Sequence, residues 1–160
     1  MNLFVKSIAV LSAVFLLSAC ATDPDNKGAT DGTGNNISQD GRTTLDPEGN
    51  VSDRVLFDLD SSQLTAEAQQ ILEVQAAWLK QNSSLNITVE GHCDERGTRE
   101  YNIALGERRA TAAKKFLTGL GVASNRISTI SYGKERPAMV GSDESSWSQN
   151  RRAVSVATNQ

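Results

Sequence analysis

The sequence predicts an α/β domain in which strands and helices alternate and crossover connections join the strands. Two helical patterns and the cleanly alternating segment between them carry that expectation. Between Thr65 and Gln81, apolar residues recur with helical spacing at Ala68, Ile71, Leu72, Ala76 and Leu79. "LNITVEGHC" alternates with period two: Leu85, Ile87, Val89 and Cys93 share one face, and Asn86, Thr88, Glu90 and His92 share the other. A longer helix then runs to Leu120, where "GLG" is a good stop because glycine accepts the left-handed turn that ends helices.

The remaining elements follow in order. "RVLFDLDSS" is an apolar run closed by polar turn residues and predicts a strand ahead of the first helix. "RISTISYG" predicts a third strand, "SSWSQNRR" a short helical turn, and "AVSVAT" a last strand. No internal repeat is visible. A chain of 160 residues suits one domain and is too short for two good cores. The formal charge of −3 and pI of 5.2 give no basic footprint, so no nucleic acid partner is expected.

The N-terminus stands apart from this pattern. "MNLFVKSIAVLSAVFLLSAC" places Lys6 before an apolar run from Ile8 to Ala19, followed by Cys20. The run is about a dozen residues, whereas a membrane-spanning helix needs roughly 20. A short apolar core behind a positive charge predicts a secretory signal over 1–19. "LSAC" resembles the bacterial lipobox, which implies cleavage before Cys20 and its acylation, palmitate included. Two or more acyl chains suffice for stable anchoring. Residues 20–50 are expected to form a lipidated start and flexible tether, because a stretch rich in Gly, Asp, Asn and Thr cannot offset the entropy of ordering. Such a tether spans roughly 30 Å on average, from about 5–6 Å per square root of residue count. The folded domain is then 51–160.

Candidate site residues emerge from the second helix. At 100° per residue, Asn102, Leu105, Arg109, Ala113, Phe116 and Leu120 fall near one line. Asn102 and Arg109 thus face the sheet, where polar groups are costly unless satisfied. An arginine stem can also lie along the core margin while its head reaches water. The preceding strand ends in "HCDERG" and delivers Asp94 to the helix start; the first strand ends in "FDLD" and delivers Asp58. Two carboxylates and a guanidinium at one rim form either a site for a ligand of both charges or a structural ion-pair network. Adjacent strand residues point to opposite faces, so His92 and Cys93 do not make a nucleophile–base pair. Cys93 is expected to be a buried small residue, and His92 a hydrogen-bonded residue of the rim. A single histidine makes a metal centre improbable. No catalytic residue, metal or cofactor is expected.

"FDLDSSQLT", "VEGHCDERGTREYNIALGERRA", "ISYGKERPAM" and "NRRAVSV" closely resemble the OmpA-like C-terminal domain family, over residues 54–157. The resemblance implies a mixed β-sheet packed against helices, βαβαβ-type with a final strand, that binds peptidoglycan without covalent attachment. In the family, the Asp of "GHxD" and the Arg of "RRA" hold the diaminopimelate of the stem peptide; they map to Asp94 and Arg109. "FD" maps to Phe57 and Asp58, and "YN..L" to Tyr101, Asn102 and Leu105. A guanidinium can fork onto a carboxylate with two parallel bonds, while an aspartate takes the ammonium. Lipobox-bearing members tie the outer membrane to the wall within the Tol system, serving envelope integrity and cell division. This implies an outer-membrane location facing the periplasm, with TolB and other Tol proteins as partners. The TolB contact region overlaps "GERRATAAKKF", where Glu107, Arg108 and Lys115 are the candidates. Cys93 departs from the family, in which many relatives carry Thr or Ala. The alternative, a wall-processing hydrolase or amidase, needs a nucleophile with its base, a metal triad or a carboxylate pair.

Overall fold

Thr65 opens the first helix: its side chain accepts from the Ala68 backbone N–H and satisfies a donor that the first turn leaves without a partner. The computed structural model describes residues 45, 46 and 48–158; the expected signal segment, Cys20 and nearly all of the expected tether lie outside the described residues. In chain order the elements are β1 (Arg54–Leu56), α1 (Ala66–Gln81), β2 (Asn86–His92), α2 (Arg99–Gly119), β3 (Ile127–Gly133), α3 (Glu144–Asn150) and β4 (Arg152–Thr158). A 3-10 turn at Ser124–Arg126 leads into β3.

The sheet order is β1-β4-β2-β3. β2 and β3 pair in parallel, joined by α2 as the crossover, and β4 runs antiparallel to both β1 and β2. The last strand therefore inserts between two parallel ones, which makes the sheet mixed. Its inner face supplies Val55, Ile87, Val89, Ile127 and Ala153 to the core, and the helices cover them with Leu72, Ala76, Leu79, Ala110, Ala113 and Leu117. The α2 stop is a Schellman end: Gly121 sits at φ +95°, its N–H donates to Thr118, and the Val122 N–H donates to Leu117.

Two expectations need correction. β1 ends at Leu56: one further bond, from the Phe57 N–H to the Arg151 carbonyl, extends the pairing, and the chain then turns, with Asp60 at φ +53°. His92 is not at a rim. It is fully buried on the face opposite Cys93, stacked on Tyr132 at 5.5 Å and 3.5 Å from the Glu90 carboxylate. A polar residue in an alternating strand need not face water when a cross-strand aromatic ring covers it.

α2 lies unusually close to β2. A Cβ on Gly91 would fall 1.8 Å from the Gly106 carbonyl oxygen, so two glycines let helix and strand backbones meet. Gly91→Ala must push the helix away. Overpacking of this kind costs about 1–3 kcal/mol, to be read by thermal melting. Gly119→Ala is the matched control: its Cβ would meet nothing within 4 Å, and it should leave Tm unchanged or slightly raised.

Candidate functional site

The close approach of α2 to β2 brings the first turns of the helix against the strand end, the 93–98 loop and the 57–61 turn. A cavity of about 200 Å³ opens there, lined by Leu59, Asp60, Cys93, Asp94, Arg96, Gly97, Tyr101, Asn102, Leu105, Arg109 and Arg151. Thr98 fixes one edge by capping α2, its hydroxyl accepting from the Tyr101 N–H.

Arg109 is 1% exposed and points inward, as the helical period requires. Its Nε donates to the Ser61 carbonyl at 2.8 Å, and Nη1 donates to the His92 carbonyl at 2.8 Å and to Cys93 Sγ at 3.4 Å. Nη2 donates to the Asp58 carbonyl at 3.1 Å. Four of its five N–H groups are thus committed to the framework, so a two-bond fork onto a ligand is not free in this arrangement. The Phe57 ring lies 5.2 Å from the guanidinium. Burial pushes the Cys93 thiol pKa up, against the opposing pull of Arg109, which makes the sulfur an inert acceptor.

Asp94 is 5% exposed and doubly partnered. Its Oδ1 accepts from the Arg96 backbone N–H at 3.1 Å and from Arg96 Nε at 3.2 Å; Oδ2 accepts from Arg96 Nη2 at 2.6 Å. Arg151 Nη1 stands 3.5 Å from the same Oδ2. Burial acts to raise the carboxyl pKa, but the Arg96 bonds and charge outweigh it and hold Asp94 below the usual carboxylate value. Arg151 is itself anchored, Nε to the Phe57 carbonyl at 3.1 Å and Nη2 to Glu144 at 2.6 Å.

The structure brings together Asp94, Tyr101, Asn102, Leu105 and Arg109 but not the other two expected residues. Phe57 is buried under Arg109, and the Asp58 side chain is exposed, contributing only its carbonyl. Because β1 ends early and the chain turns, Leu59 and Asp60 line the cavity instead. The Tyr101 hydroxyl donates to Asp60 Oδ1 across the cavity mouth. Asn102, buried, donates from Nδ2 to the Arg96 carbonyl at 2.8 Å and so pins the loop that carries Asp94. Sequence reasoning missed Asp60, Arg96 and Arg151. Each sits in a turn or loop where no periodicity tells direction, although "DERG" and "NRR" show the arginines plainly. Among the described residues, no group of three His, Cys, Asp or Glu is placed to hold a metal ion.

A mixed four-stranded sheet backed by helices, with a cavity of paired aspartates and arginines at its end, defines an OmpA-like α/β domain. The OmpA family model matches residues 56–152. A peptidoglycan-associated lipoprotein of Agrobacterium fabrum is 47% identical over 152 residues, 94% of this chain and 86% of the relative. Its counterpart from Brucella melitensis is 60% identical over 107 residues, 67% of this chain but only 64% of the relative, so the match spans less than two thirds of that protein. The crystal structure of the peptidoglycan-associated lipoprotein from Burkholderia pseudomallei superposes with a TM-score of 0.65 at 43% identity, covering 67% of this chain and 91% of that one. The chain belongs to the OmpA family and, within it, to the peptidoglycan-associated lipoproteins.

Proposed function

We propose that the domain binds the stem peptide of peptidoglycan non-covalently, acting by binding rather than catalysis, and that its ligand centre is the free amino-acid end of diaminopimelate. The observation that carries this reading is the charge layout of the cavity. Asp94 and Asp60 line it together with the Arg96 and Arg109 guanidiniums, so acidic and basic groups meet in one cavity, as an ammonium next to a carboxylate requires. Leu59 and Leu105 offer apolar surface to the methylenes of the same ligand. Asp60 replaces Asp58 in this assignment, and Phe57 supports Arg109 from beneath. The relatives' name, peptidoglycan-associated lipoprotein, favours peptidoglycan as the polymer that carries this ligand.

The lipobox and tether extend the proposal. Acylated Cys20 holds the outer membrane, the stretch between it and the buried Leu45 supplies reach, and the domain grips the wall from the periplasmic side as part of the Tol system in envelope integrity and cell division. Glu107, Arg108 and Lys115 are exposed on α2 and available to TolB or other Tol proteins. Arg108 lies 5.9 Å over the Tyr101 ring at the cavity edge, so TolB binding there would compete with the wall. The test is co-sedimentation of the purified chain with sacculi. Sacculi whose stem peptides carry diaminopimelate with its amino-acid end free should carry the protein down without releasing soluble fragments. Equal pelleting with lysine-type sacculi would refute the ligand assignment, and fragment release would refute binding without catalysis.

A further inference from the structure

We propose that Arg96 sets the selectivity of the cavity, as a movable counter-ion that yields Asp94 only to a ligand bringing an ammonium and a carboxylate together. The chemical identity of that ligand rests on the stem-peptide reading above; the mobility of Arg96 rests on its own contacts. Three arginines line the cavity, and two of them are fastened to the backbone: Arg109 to the Asp58, Ser61 and His92 carbonyls, and Arg151 to the Phe57 carbonyl. The Arg96 guanidinium bonds only to other side chains. Its Nη2 is 2.6 Å from Asp94 Oδ2 and 4.0 Å from Glu144 Oε2 on α3, so a second acceptor stands beside the first. The guanidinium lies 4.1 Å over the Trp147 ring, whose Nε1 is held by Glu95 at 3.1 Å. A planar cation can slide across a fixed indole without losing that attraction. Its side chain is also 34% exposed, against 7% for Asp94.

The exchange follows from charge. A bare cation approaching Asp94 meets the positive Arg96 on both carboxylate oxygens, and displacing it would leave that guanidinium only Glu144, a carboxylate that Arg151 already holds at 2.6 Å. An amino-acid centre avoids this, because its ammonium takes Asp94 while its carboxylate takes the released Arg96. Two ion pairs, the ammonium with Asp94 and the carboxylate with Arg96, replace the single pair between Asp94 and Arg96. Arg96 therefore acts against simple cations as well as for the zwitterion, which is how specificity is built when attraction alone is insufficient.

Three probes separate the cases: meso-diaminopimelate, 1,5-diaminopentane, which lacks the carboxylates, and pimelate, which lacks the amines. Calorimetric or NMR titration of the wild-type chain should show binding of the first and rejection of the other two. In Arg96→Gln, diaminopimelate should weaken and diaminopentane should gain, so that their affinity ratio falls by about tenfold or more, about 1.4 kcal/mol. Arg96→Lys, which keeps the charge but loses the planar fork, should shift the ratio the same way by less. An unchanged ratio in whichever of these variants retains a native melting curve overturns the proposal. Failure of the wild type to bind diaminopimelate sinks the stem-peptide reading instead. In that case the gain of diaminopentane by Arg96→Gln still supports the counter-ion role, and its absence overturns it.

Discussion

Replacing Arg109 with alanine should lower folding stability by about 3 kcal/mol or more, a fall in Tm of roughly 10 °C or more for a domain of this size. The guanidinium is not merely a wall of the cavity. It gathers the Asp58 and Ser61 carbonyls from the turn after β1 and the His92 carbonyl from the end of β2. Hydrogen bonds to a charged donor contribute about 1.5–3 kcal/mol each, and a buried carbonyl left without a donor carries its own penalty. The sum is not simply additive, since water entering the vacated space can rehydrate part of what is lost. Arg109→Lys should recover only a fraction, because an ammonium is a point and these acceptors diverge around a plane. Arg109→Met tests the same idea with volume retained: it should still lose most of the stability. An alanine variant that melts like the wild type would show that the three carbonyls are held in place by something else. It also follows that loss of wall binding by Arg109→Ala does not assign a ligand contact, since the cavity itself depends on this residue.

What could be read from the sequence divides along a physical line. Helical period fixes the direction of a side chain, so Asn102 and Arg109 could be placed facing the sheet, and both are buried there. Caps and stops are local chemistry, which is why Thr65 and "GLG" mark real boundaries. The partners of Arg109 were not legible, because backbone carbonyls leave no signature in residue identity. Of the two open readings, the structural network is present, and it uses the residues that the ligand reading needs: Arg109 ties the framework, and Asp94 forms ion pairs with Arg96 and Arg151 at the cavity. The turn after β1 misled because an apolar run says nothing of where a strand stops pairing, and that shift of two residues moved the lining carboxylate from Asp58 to Asp60. Glu90 and His92 alternate as a solvent face would, yet both are buried.

Asp94→Asn is the variant expected to affect binding most sharply while leaving the fold. The substitution keeps shape and removes the charge that a ligand ammonium needs, and losing one partner of a desolvated charge pair costs roughly 2–5 kcal/mol. That is roughly 30-fold to several-thousand-fold in affinity for diaminopimelate-containing sacculi, at about 1.4 kcal/mol per decade. Asn retains an acceptor oxygen for the Arg96 N–H, so the loop should keep its turn and the neutral-pH stability loss should stay below that of Arg109→Ala. The pH dependence separates the two roles of this carboxylate. Its folded pKa is held below the ordinary 3.8, so its stabilising contribution is complete above that value and is lost as pH falls through the depressed one. The Tm gap between wild type and Asp94→Asn should therefore be widest above the ordinary carboxylate range and close as the solution becomes strongly acidic. A gap that persists unchanged in strong acid would mean that Asn disturbs packing rather than charge. Full retention of sacculus binding by a folded Asp94→Asn chain would remove Asp94 from the ligand site and leave Asp60 as the acid that meets the ammonium.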